Sequence, residues 1–443
     1  MRKNMLHILT SRLLVSVAMG LCTLPAYADA AKPEALKIGI TTFMSGSASV
    51  FGVPAKVAAE LYIEELNAAG GIDGVKVEPT FIDEGVGGDR LLSEYRRVVQ
   101  EQGAKVMLAS ISSGSCNTLA PVAEDLKVVN ILWDCGTEKA LEGHNYKYVF
   151  RTQANAVTEM VASVLYLLKT KPDFKTIAVV NQDYAWGRDS WDIFSATLKQ
   201  LKPDVKVVAE LFPKFGASDF SAEVSRLQVL RPDVVLSTSW GGDLDTFIRQ
   251  ASQRGLLRTS QFFLPLGETS LERLGNVLPD GVLIGARGDH YFLHPQYVKD
   301  ARHQAFVEKF KARTGSYPIY SVYHMIQALD GMTAAYRKSI EVNGGKWPDE
   351  EQLASAFRGL EFRGLTSPVR IRPEDGQGLE TQLFGVTAPS PDYKFKVLKD
   401  IMLVQADRVT TPAHEKSSEW VKTATPALLD EVQPAVQPVV AKP

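Results

Sequence analysis

From Leu36 onward, short apolar runs alternate with stretches in which apolar residues recur every three or four positions. The first pattern predicts buried strands and the second amphipathic helices. LKIGI (36–40) reads as a strand, and the Gly/Ser loop 45–52 leads into a helix over about 54–69 that stops at Gly70-Gly71. VKVEPTFID (75–83) is the next strand, then a helix runs through Leu91, Leu92, Tyr95 and Val98. In a third unit, 105–125, the run Val106 to Ala109 gives way to small hydroxylated residues and then to a helical pattern from about Asn117. Strands follow at 128–134 and 148–152. The pattern then restarts, with helices at 155–169, 188–201, 220–230 and 241–255 and strands at 176–183, 205–212, 234–240 and 281–286, while 261–269 begins another strand–loop–helix unit. Repeated strand–helix units of this size predict an α/β chain with doubly wound parallel sheets. After Ala286 come two long helices (about 296–314 and 321–339), a shorter one at 350–359, and closing strands. From about Thr410 the periodicity is lost, and 412–443 reads as a flexible tail, largely disordered or loosely attached.

A length of 443 residues exceeds what one core usually holds, so at least two domains are expected. Lys and Arg total 49 against 51 Asp and Glu, without clustering, which argues against nucleic acid as a partner. Arg2, Lys3 and Arg12 precede the apolar run 13–24 and Ala26-Tyr27-Ala28, the pattern of a cleaved export signal over 1–28. The mature chain is therefore expected to be exported. Removing Cys22 leaves Cys116 and Cys135, either a disulfide or two buried thiols.

The serine loop carries the most chemistry. A strand that ends at a helix N-terminus leaves backbone N–H groups without internal partners, and Ser112, Ser113 and Ser115 add hydroxyls there. Such a loop suits a small carboxylate. Its plainer use is helix capping by Ser115 or Asn117. Metal and catalytic readings fare poorly: His290 and His294 have i,i+4 spacing, but Pro295 follows them, and no Cys/His set has zinc spacing. There is no phosphate-binding G-x-x-x-x-G-K-[ST] and no G-x-S-x-G elbow, so neither an enzyme nor a cofactor is expected.

With the loop 45–52, the phrase NAAGGIDGVKVE (67–78), ASISSGSCNTLAP (109–121) and DYAWGRD (183–189), the chain resembles the Leu/Ile/Val-type periplasmic solute-binding proteins of ATP-driven (ABC) importers over about 36–403. The resemblance implies the type I periplasmic-binding fold, two doubly wound lobes joined by three hinge crossovers that close over a ligand. The crossovers would fall near Thr152, 285–289 and 363–366, with lobe 1 at 36–153 plus 287–363 and lobe 2 at 154–286 plus 364–410. It implies a periplasmic monomer whose partners are a small-molecule ligand and an ABC permease in the inner membrane.

By the same resemblance, Ser112, Ser113, Ser115, Cys135 and Thr137 would hold the ligand's carboxylate and amino group, with Thr137 equally readable as a helix cap. Trp186 and the turn Trp240 to Asp243 would contact the ligand from lobe 2, and Glu268, with Asp243 as fallback, would pair with an ammonium. Ser49, Phe51 and Tyr291 could add contacts, and Tyr320 is a weaker candidate. Indoles usually fill cores. Trp133, Trp186 and Trp240 nevertheless all lie at strand ends, where a cleft forms in open α/β sheets, and they would suit a flat or bulky apolar ligand. The expected solute is an amino acid, branched-chain or other, or a related small carboxylate. The rival expectations are an aromatic acid or a sensor feeding a signalling partner.

Overall fold

The computed structural model describes residues 32–436, so the export signal expected over 1–28 lies outside the described residues. The first half of the repeat folds as β1 (Ala35–Thr42), α1 (Ser49–Ala68), β2 (Lys76–Asp83), α2 (Gly88–Gln100), β3 (Val106–Leu108), α3 (Ser113–Leu126), β4 (Val129–Leu132) and β5 (Val149–Arg151). The strands make a five-stranded parallel sheet in the order β2-β1-β3-β4-β5. Pro79 is tolerated because β2 is an edge strand. The Asn67–Glu78 phrase has a mechanical meaning. The Asn67 side chain accepts from the Val77 N–H at 2.8 Å and donates to its carbonyl at 2.9 Å. Gly71, at φ +77°, comes so close to the Val75 carbonyl that a Cβ would lie 2.1 Å from its oxygen.

The second half is α4 (Ala156–Thr170), β6 (Thr176–Val180), α5 (Ala185–Leu201), β7 (Lys206–Leu211), α6 (Ser221–Leu230), β8 (Val234–Leu236), α7 (Gly241–Gln253), β9 (Gln261–Leu264), α8 (Leu271–Leu274) and β10 (Leu283–Gly285). The Asn155 side chain caps α4 by accepting from Val157 and Thr158. After β10 the chain returns as α9 (Ala301–Thr314), α10 (Tyr320–Val342) and α11 (Glu350–Phe357), with α10 packed along α1. A small antiparallel sheet of β11 (Glu361–Arg363), β12 (Pro368–Ile371) and β13 (Gly378–Leu379) follows. The chain then rejoins the second sheet as β14 (Gln382–Ala388) and β15 (Val397–Val404). The last described elements are α12 (Ser417–Trp420) and β16 (Val432–Pro434). The second sheet runs β16-β15-β14-β10-β9-β8-β6-β7, parallel from β10 to β7 and antiparallel beyond. The architecture is thus a two-lobe α/β fold of the type I periplasmic-binding kind. Among the described residues, no helix is long and apolar enough to cross a membrane.

Three expectations change. The segment 412–436 is not loose: β16 pairs with β15, and Val421 and Val432 are buried. It is built from turns and strands too short for a helical or alternating period to register. Helix α1 begins at Ser49, so Ser49 and Phe51 sit in its first turn rather than in a loop. Helix α5 likewise begins at Ala185, which puts Trp186 on a helix. Cys116 and Cys135 are joined in a disulfide that ties the start of α3 to the loop after β4.

Candidate functional site

The serine loop cradles a carboxylate, and that carboxylate belongs to the chain. Glu84, buried in the turn after β2, accepts from the N–H groups of Ile111 at 2.9 Å and Ser112 at 2.7 Å. Burial pushes its carboxyl up to about 7, against those two N–H groups and the Ser115 hydroxyl, which favour the ionised form. Ser113 accepts the Thr137 N–H on its Oγ at 3.1 Å. Thr137 Oγ1 donates to Asp189 of α5 at 2.6 Å, a contact from one lobe to the other. Cys135 is held by the disulfide and by its carbonyl, which accepts from Gln153.

Beside this loop, between the two sheets, the walls close on a small cavity of about 10 Å³, room for little more than one water. Its walls are Phe51, Ile111, Ser113, Asp134, Gly136, Tyr184, Trp186, Trp240, Leu266, Arg287 and Tyr320. Strand ends and helix N-termini of both lobes converge here, the position at which open α/β sheets bind ligands. The indoles are fixed by their N–H groups: Trp186 donates to the Thr238 carbonyl at 2.9 Å and Trp240 to the Tyr184 hydroxyl at 2.6 Å. Phe51 stands 5.2 Å from both Trp240 and Tyr320, ring centre to ring centre. Gly136 lets Trp186 reach across the cleft, since a Cβ there would lie 2.2 Å from the indole.

Of the expected residues, Phe51, Ser113, Trp186, Trp240 and the weaker candidate Tyr320 line this cavity. The others are engaged elsewhere. Asp243 accepts from Ser47 Oγ (2.9 Å), Gln182 (2.9 Å) and the Gly216 N–H (2.7 Å), a clasp between the lobes that the Gly242 N–H extends onto the Ser47 carbonyl. Glu268 accepts the Tyr320 N–H at 3.0 Å, and burial pushes its carboxyl up to about 8. Ser49 Oγ turns back to the Gly46 carbonyl, and the Tyr291 hydroxyl accepts from the Leu398 N–H. Trp133 donates to the Thr41 carbonyl inside the first lobe.

Arg287 and Asp134 were not legible as site residues. Arg287 lies after β10 with its backbone in the left-handed region, φ +38°. Its guanidinium grips Glu159 of α4 through Nε and Nη2 (2.9 and 2.8 Å) and reaches Asp134 through Nη1 (3.2 Å). It thereby joins both lobes. His324 of α10 closes the ring, one nitrogen on Asp134 and the other 2.8 Å from the Arg287 carbonyl. Burial lowers the His324 pKa, but the carboxylates of Glu380 and Asp134 outweigh it and push it up to about 9. His290, His324 and Glu380 bring ligand-type atoms within 4.8 Å of one another. With both nitrogens of His324 spent as donors, this is the chemistry of an imidazolium held by carboxylates rather than of a metal ligand. The arrangement sets a wall of aromatic rings beside one fixed cation, and a flat apolar solute would enter it only with the lobes apart.

A family model described as "Periplasmic binding protein" matches residues 35–389. The leucine-, isoleucine-, valine-, threonine- and alanine-binding protein of Pseudomonas aeruginosa is 24% identical over 353 residues, covering 79% of this chain and 88% of that protein. Among solved structures, a solute-binding protein of an ABC transporter from Rhodopseudomonas palustris BisB5, in complex with 3,4-dihydroxybenzoic acid, superposes with a TM-score of 0.73 at 20% identity. The match covers 86% of this chain and all of that one. An amino acid ABC transporter substrate-binding protein from Pseudomonas fluorescens Pf-5 gives 0.70 at 17% identity, covering 83% and 96%. These homologues are solute-binding proteins rather than enzymes. With most of its length matched by the family model and its cavity between two α/β lobes, the chain belongs to the periplasmic binding protein family, of the Leu/Ile/Val-binding, ABC-transporter-related type.

Proposed function

We propose that this protein captures a small carboxylate with a flat, apolar body and delivers it to an ABC permease for import. We place an aromatic acid ahead of an aliphatic amino acid. The observation that carries this reading is the wall of the cavity, where five aromatic side chains surround a single cationic group, Arg287. An amino acid needs an acid for its ammonium. Glu268, expected in that role, is spent on the Tyr320 N–H. Asp134 is the acid in the wall, and its Oδ1 already accepts from Arg287 and His324. Both ligand classes occur among the structural neighbours, one bound to 3,4-dihydroxybenzoic acid and one named for amino acids.

Capture works by population shift. Ser47–Asp243, Thr137–Asp189 and Trp186 over Gly136 exist only when the lobes meet, so a solute that touches both walls favours the closed form. The test is a thermal-shift and calorimetry panel of benzoate, hydroxybenzoates, aliphatic acids, their amides, and leucine, valine and phenylalanine. An aromatic acid at a hundredfold excess over its Kd should stabilise the fold by about 2.7 kcal/mol. Saturable binding confined to amino acids would overturn the preference for aromatic acids.

A further inference from the structure

Two backbone donors of the serine loop are already spent, while the Ser113 hydroxyl keeps its own hydrogen to give. Glu84 takes the N–H groups of Ile111 and Ser112, Ser113 Oγ accepts from Thr137, and the Thr137 hydroxyl is given to Asp189. A ligand's negative end brought to this loop would meet the Glu84 carboxylate.

The opposite wall differs. Three of the five N–H groups of Arg287 are engaged, on Glu159 and Asp134, which leaves two without a carboxylate, beside the Tyr320 hydroxyl. The guanidinium lies 5.1 Å from the centre of the Trp186 ring and 5.5 Å from that of Tyr320. The Tyr320 hydroxyl is fully buried, and the polar group it approaches is the Arg287 guanidinium, without a hydrogen bond of good geometry. A buried donor of this kind is costly to leave unmatched, and both side chains line the same cavity. The cation is also held in place before any ligand arrives. His324 fixes the Arg287 carbonyl and the Asp134 carboxylate together, and Glu159 holds the guanidinium by two bonds.

The geometry points to a relocated carboxylate receptor: the ligand's carboxylate is held by the remaining N–H groups of Arg287 and the hydroxyl of Tyr320, at the crossover after β10, and not by the serine loop. This rests on the reading of the ligand as a small carboxylate. It makes Arg287 and Tyr320 the residues that set selectivity for acids over neutral analogues. Since Arg287 also bridges Asp134 of one lobe and Glu159 of the other, the ligand's charge bears directly on the joint between them.

The test compares wild type with Tyr320→Phe and Ser113→Ala by titration calorimetry, using benzoate against benzamide and leucine against leucinamide. Wild type should prefer the acid of at least one pair. Tyr320→Phe should weaken that acid roughly tenfold, the scale of a lost charge-assisted hydrogen bond. It should leave the neutral analogue unchanged and the ligand-free melting temperature little changed, because the hydroxyl it removes makes no well-formed hydrogen bond. Ser113→Ala should stay within about twofold of wild type. Arg287→Gln should abolish the preference for the acid, but it breaks a buried ion pair, so Tyr320→Phe is the deciding variant. Acid binding lost in Ser113→Ala and intact in Tyr320→Phe would overturn the relocated receptor and leave the proposed function standing. A wild type that binds no carboxylate would overturn both.

Discussion

Glu268 holds the first turn of α10 through the Tyr320 N–H, and its burial fixes how stability should vary with pH. Its carboxyl is pushed from 4.5 up to about 8 in the folded chain. Between those values the folded state keeps a proton that the unfolded chain releases, so stability is highest below the lower value and falls as pH rises toward the upper one. His324, raised to about 9, acts in the same direction, since its contribution is complete below 6.5 and lost as pH climbs through 9. Glu380, held well below the usual carboxylate range by His324 and His290 despite its burial, opposes them by losing its contribution as pH falls. Melting temperatures of the ligand-free protein should therefore decline from pH 5 to pH 8, and Glu268→Gln should flatten that decline. An unchanged slope in the variant would mean that Glu268 is ionised throughout. Two residues mark what sequence could not reveal at this scale. The serine loop was legible as an anion cradle because small hydroxylated residues follow an apolar run. Its occupant, Glu84, comes from the end of a neighbouring strand, and no periodicity records a contact between strand ends. Arg287 was hidden for a related reason, since its partners lie 128 and 153 positions away in the sequence.

At the scale of elements, the sequence placed nearly every strand of both sheets, because buried parallel strands read as short continuous apolar runs. It was weakest where helices begin. Helices α1 and α5 start several residues before the first periodic apolar position, inside stretches that look like Gly-containing loops. That shift matters for the site, because it carries Phe51 and Trp186 on rigid first turns. The helix bearing Trp186 also faces a strand-end loop whose glycine has no room for a side chain. Gly136→Ala puts a methyl group into the indole, and the clash exists only when the lobes are together. The expected result is weaker ligand binding, by tenfold or more if closure is made about 1.4 kcal/mol less favourable, with the melting temperature of the ligand-free protein little changed. Calorimetry and thermal unfolding on the same variant check the two halves of that statement. A variant that binds normally would mean that Trp186 can swing aside at little cost.

For the whole molecule, the segment beyond Thr410 does two jobs that its lack of periodicity concealed. It completes the second sheet, where β16 covers the edge of β15, and it buries Val421 and Val432. It also reaches the other lobe, where the Ser417 N–H donates to Glu142 at 3.0 Å and the Ser417 hydroxyl meets the same carboxylate. Each fully buried valine contributes about 1.5–3 kcal/mol, and an uncovered edge strand is a template for pairing between chains. Truncation after Thr410 should therefore lower the melting temperature and produce higher oligomers in size-exclusion chromatography. Ser417→Ala removes the hydroxyl bond to Glu142 while keeping β16, so it separates the second job from the first. It should leave the protein in its wild-type oligomeric state, yet give the ligand-free form a larger radius of gyration in small-angle scattering. Equal radii for Ser417→Ala and wild type would show that the segment braces the second lobe alone and leaves the lobes free to part.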